Sequence, residues 1–115
     1  MLIEEMDVFK LAHELTLEVY TKTAGFPDSE KYGLVSQMRR AASSICMNLA
    51  EGAHRFGTNE YRHFIGISRG SCGEIKYQLR LAYDLAYLVE TDCRELTERY
   101  ERVSKMLTKL HSSLK

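Results

Sequence analysis

Apolar residues recur along this chain at intervals of three and four, the spacing that aligns side chains on one face of an α-helix. The first run covers residues 7–23, with Val8, Leu11, Ala12, Leu15 and Val19 on one face. Gly25-Phe26-Pro27 closes it, because proline cannot continue a helix. A second run, residues 28–54, opens with Asp28 and Glu30, which complement a helix N-terminus, and carries Leu34, Met38, Ala41, Ile45 and Leu49. Arg55-Phe56-Gly57-Thr58-Asn59 is the next break, with Thr58 or Asn59 placed to cap a third helix. That helix is predicted to reach Val89 through Tyr61, Phe64, Ser68, Ile75, Leu79, Ala82 and Ala86. Asp92-x-x-Glu95 has capping-box spacing for a fourth, striped with Leu96, Tyr100, Val103, Leu107, Leu110 and Leu114.

Gly66, Gly70 and Gly73 weaken the third helix, and Ser71-x-x-Glu74 offers an alternative start for a new one. The apolar spacing runs through the glycines, which favours one continuous helix, and Gly66-x-x-x-Gly70 is expected to permit close packing. Four helices with short connections predict an all-α fold, an antiparallel up-down four-helix bundle, as one domain over residues 1–115.

The third helix carries more apolar surface than a bundle needs. Beyond its core stripe it presents Ile67, Leu81, Leu85 and Leu88, widened by Tyr77 and Tyr87. A left-over apolar arc of this kind marks a protein–protein interface, so Ile67, Tyr77, Leu81, Leu85 and Leu88 are the expected contacts of a homo-oligomer. If the patch meets a different surface on the next copy, the assembly closes into a cycle.

Composition narrows the classes. Sixteen basic and sixteen acidic residues leave no net charge, so any nucleic-acid binding needs a local patch. Cys46, Cys72 and Cys93 have no metal spacing and read as reduced thiols. The acidic start lacks a signal-peptide layout, and the uncharged stretch of residues 41–50 is too short to span a bilayer. The expectation is a cytoplasmic protein with no membrane partner.

Three constellations remain. Gln37, Arg40, Ser44, Asn48 and Glu51 recur on the second helix, answered by Ser71, Glu74 and Gln78 on the third. Short polar residues at that spacing suit a partly buried network pairing Arg40 with Glu51 or Glu74; a solvated flank is the alternative. Arg39, Arg55, Arg62 and Arg69, with His54, His63, Phe56 and Tyr61 among them, are candidate nucleic-acid contacts, although Glu51, Glu60 and Glu74 offset part of the charge. Glu51-x-x-His54 and Glu60-x-x-His63 have the motif of di-iron bundles but flank one loop rather than the bundle centre, so no metal and no cofactor is expected. Gly70-Ser71-Cys72-Gly73 matches a KH-domain loop in letters only. No nucleophile has a base beside it in any recognisable motif, so the chain is not expected to be an enzyme.

Phe26-Pro27, Glu30, Tyr32-Gly33-Leu34, Gln37, Arg39-Arg40-Ala41, Ser44-Ile45, Asn48-Leu49-Ala50-Glu51-Gly52, Gly70-Ser71 and Glu74 together resemble the four-helix-bundle family of 23S rRNA-intervening-sequence, or ribosomal-protein-S23-like, proteins. The resemblance covers nearly the whole chain and extends to the accessory protein of diversity-generating retroelements. It implies a bundle assembling into a ring, a pentamer being the expected form, and a link to RNA or a protein–RNA complex. The leading expectation is a non-enzymatic oligomeric adaptor. A structural or protein-interaction bundle without nucleic acid, and a metal-binding bundle, are the alternatives.

Overall fold

A 3-10 turn, Ile3–Glu5, leads into α1, Asp7–Thr23, and a second turn, Asp28–Glu30, leads into α2, Leu34–Ala53. Helix α3 spans Thr58–Asp84 and α4 spans Glu90–Ser113 in this computed structural model, which describes residues 1–114. Each helix packs on the next and α4 returns to α1, giving an up-down bundle of 44 × 25 × 20 Å. Among the described residues there is no strand.

The stripes meet inside. Leu15 and Val19 of α1, Met38, Ile45 and Leu49 of α2, Ile65, Ile75 and Leu79 of α3, and Tyr100, Val103 and Leu107 of α4 are all buried. Each such aliphatic side chain contributes roughly 1.5–3 kcal/mol by leaving water. Hydroxyls stitch the seams: Thr16 Oγ1, which donates to Ala12 O at 2.8 Å, shares that proton with Ala42 O of α2 at 3.2 Å, and Ser68 Oγ donates to Ile45 O at 2.8 Å. Arg99 ties α4 to α1 through Glu18 at 2.5 Å and Glu14 at 3.5 Å.

Helix α3 is continuous through its three glycines, but the close approach expected there lies elsewhere. A Cβ added at Gly66, Gly70 or Gly73 would meet nothing within 4 Å. At Gly52 it would stand 2.8 Å from Phe64 Cβ and 3.3 Å from Tyr61 O. The bare backbone of Gly52 lets α2 and α3 converge.

Several helix ends depart from the positions that the spacing predicts. Helix α2 begins at Leu34 rather than Asp28, because Gly33 at φ −110° and ψ −110° lies outside helical geometry. Glu30 Oε1 accepts the Leu34 N–H at 3.3 Å, and Tyr87 Oη donates to Glu30 Oε2 at 3.0 Å. Helix α3 stops at Asp84 rather than Val89. Ala86 there is left-handed at φ 64°, while Tyr87 N–H reaches Ala82 O and Ala86 N–H reaches Tyr83 O, both at 2.9 Å. This pair of bonds is a Schellman closure. It leaves Ala86 exposed and turns Leu88 inward to 7% exposure, so Leu88 belongs to the core and not to an outer interface. No side chain caps α3 or α4: Gly57 precedes Thr58, and Asp92 pairs with Lys22 at 3.1 Å.

Candidate functional site

The α2–α3 seam carries the polar stripe. Antiparallel register brings Ser44 opposite Ser71, and their hydroxyls hydrogen-bond directly. The rest of the expected network does not form. Asn48 Nδ2 donates to Ser44 O of its own helix at 2.8 Å, and Glu51 pairs with Arg55 rather than Arg40. Among the described residues the side chains of Arg40 and Glu74 have no ion-pair partner. Gln37, Arg40, Ser44, Glu74 and Gln78 instead line a cavity of about 260 Å³. Gln78 is 7% exposed, and its Oε1 has no protein partner.

The four candidate arginines separate. Arg39 is taken up by α1: its Nε donates to Thr23 Oγ1 at 3.0 Å, its Nη2 to Tyr20 O at 3.2 Å, and it lies over the Tyr20 ring at 4.6 Å. Arg55 is held by Glu51 at 2.5 Å and Glu60 at 4.0 Å, over the Phe64 ring at 5.0 Å. Arg62 and Arg69 remain, spaced seven residues apart on α3, which places them on one helical stripe with Lys76. Arg62 is partly buried, with an Nε that has no protein partner.

That stripe opens onto a groove along the α3–α4 seam. Arg69, Lys76 and His111 line it with the hydroxyls of Ser104 and Thr108, and its volume is about 460 Å³. None of the three basic side chains has an ion-pair partner among the described residues. Gly66, Gly70 and Gly73 form part of its wall and leave the helix backbone uncovered there. Lys76 and His111 are not legible as partners in the sequence, because they stand thirty-five residues apart on two different helices. The unbroken helical spacing of Arg62, Arg69 and Lys76 was the available signal.

The Glu-x-x-His motifs are turned to other work. His54 Nδ1 lies 2.8 Å from Ala50 O, and Glu51 and Glu60 both face Arg55. Among the described residues no group of three or more His, Cys, Asp or Glu stands together. Burial pushes the Cys46 thiol up to about 11 and the Cys72 thiol up to about 12, which suppresses the nucleophilic thiolate at neutral pH. Tyr100 Oη is buried among the helices with no protein partner, and desolvation raises its pKa.

The exposed apolar surface differs from the predicted arc. Tyr77 is 65% exposed and Leu85 45%, with Ile67 also outward, but Leu81 packs partly on the core and Leu88 wholly within it. A second apolar patch lies on the α1–α2 seam. Leu17, Tyr20 and Met47 are exposed there around a hollow of about 360 Å³ also lined by His13 and Cys46. No helix is long and apolar enough to cross a membrane among the described residues.

These elements define a class: a small antiparallel four-helix bundle with polar and basic seams between its helices. The chain belongs to the 23S rRNA-intervening sequence protein family, whose pattern matches residues 4–109. Its fold is similar to the crystal structure of a protein of unknown function from the S23 ribosomal protein family of Bacteroides thetaiotaomicron. That likeness has a TM-score of 0.81 at 16% identity, over 91% of this chain and 95% of the other. No curated protein matches the sequence.

Proposed function

We propose that this chain is a non-enzymatic, self-associating adaptor in the cytoplasm that binds RNA along the α3–α4 groove. The observation that carries the reading is the pair of cations without ion pairs among the described residues, Arg69 and Lys76, beside the His111 ring and the Ser104 and Thr108 hydroxyls. Lysine and arginine attract phosphates by displacing their counterions, and the hydroxyls add hydrogen-bonding positions. Arg62 extends the same stripe. The family's description as 23S rRNA-intervening sequence proteins supports an RNA connection. Arg39 and Arg55 serve the fold in this reading, since both are engaged within the chain.

Self-association is supported by the two separate apolar patches, one at Tyr77 and Leu85 and one at Leu17, Tyr20 and Met47. Different surfaces meeting head to tail close into a ring when the rotation allows; the pentamer is the form the family resemblance implies.

Fluorescence anisotropy with a labelled single-stranded RNA tests the groove. Arg69→Ala with Lys76→Ala should weaken binding at least tenfold with the helical content unchanged, while Arg55→Ala should change it little. Equal binding by wild type and the double variant would remove the groove. A bundle that binds no RNA at any salt concentration would leave the protein-interaction reading, which the apolar patches favour.

A further inference from the structure

The cavity on the opposite flank of α3 has a different chemistry from the basic groove. Its rim carries one cation, Arg40, and one anion, Glu74, which stand across the α2–α3 seam in a register fixed by the Ser44–Ser71 hydrogen bond. The two side chains do not pair with each other or with any other described residue. Gln37 stands at the same rim, exposed, and Ser44 and Ala41 line the wall. Gln78 also lines the cavity, buried to 7% exposure and with an amide oxygen that lacks a protein partner. A buried carbonyl without a hydrogen bond destabilises the fold, a cost that an N–H donor entering the cavity would remove.

From this arrangement we infer that the α2–α3 cavity is a binding site for a small zwitterion of the α-amino-acid class. The ligand's carboxylate lies against the Arg40 guanidinium, and its ammonium bridges Glu74 and Gln78 Oε1. Size favours this class: at roughly 30 Å³ per water-sized group, a cavity of 260 Å³ holds about eight non-hydrogen atoms. Charge favours it as well. A simple anion meets Arg40 but faces Glu74, and a simple cation does the reverse, whereas a molecule bearing both charges is complementary to the two side chains together. No aromatic ring lines the cavity, so a nucleobase has nothing to stack on there.

The test uses the full chain with glycine, alanine, serine and threonine as probes, read by titration calorimetry and by the melting temperature. At least one probe should bind saturably at a millimolar or tighter dissociation constant and raise the melting temperature. Ethylamine and acetate, each holding one of the two charges, should do neither. Arg40→Gln and Glu74→Gln should each weaken binding tenfold or more with the ligand-free melting temperature unchanged, because both side chains are exposed and unpaired. Gln78→Met should abolish binding while leaving the ligand-free protein as stable as wild type or more so. The inference is overturned if no probe binds at about 10 mM, well above the weak millimolar range. It is equally overturned if ethylamine or acetate binds as well as the amino acids, or if Arg40→Gln and Glu74→Gln bind as wild type does.

Discussion

Gly52 and Tyr100 show how single atoms set the packing of this bundle. An added Cβ at Gly52 would press on Phe64 Cβ at 2.8 Å, an atom fixed to the α3 backbone, so the helices must separate to admit it. Gly52→Ala should therefore destabilise by about 1–2 kcal/mol, overpacking outweighing the helix-propensity gain. A raised urea midpoint would show that the seam yields freely. Tyr100 Oη is the contrasting case, a fully buried hydroxyl with no protein partner. Tyr100→Phe should leave stability unchanged or raise it by up to about 1 kcal/mol, and a loss of that size would mean the hydroxyl is bonded in the native state. Residue periodicity could place Tyr100 in the core, which it did, but not say whether its oxygen would find a partner. It gave no sign of Gly52 either, because close approach depends on which residue of a different helix lies opposite.

At the scale of the elements, α1 and the continuity of α3 were legible because their apolar positions keep helical phase throughout. The ends were not. The start of α2 depends on Gly33 and on Glu30, which is itself held by Tyr87 in the α3–α4 turn. The end of α3 depends on Ala86 accepting left-handed geometry, which glycine adopts at lower cost. Ala86→Gly should raise stability by about 1 kcal/mol, read as a higher midpoint in urea. A lower midpoint would place residue 86 in ordinary helical geometry and reopen the extension toward Val89. The same closure explains why Leu88 lies off the outer stripe that the spacing predicts: the chain leaves the helix before reaching it. Arg62 and Arg69 were legible as basic positions, whereas only the folded seam shows Arg39 bound to Tyr20 and Thr23.

For the whole molecule, two apolar patches and one basic groove combine in the proposed assembly, which presents repeated RNA contacts. Light scattering should give a mass several times the 13.3 kDa of one chain. Tyr77→Glu with Leu17→Glu should yield smaller species of unchanged helicity, since both side chains are exposed. A 13.3 kDa species in wild type would remove self-association. Attraction of RNA to the groove is the central claim, and the salt dependence of binding tests it most directly. Three phosphate contacts, from Arg62, Arg69 and Lys76, predict a slope near −2 for log affinity against log salt on single-stranded RNA, at about −0.7 per contact. Anisotropy titrations across a series of salt concentrations should give that slope for wild type and about −0.7 for Arg69→Ala with Lys76→Ala. The same slope for both proteins, or a wild-type affinity that salt leaves unchanged, would contradict it.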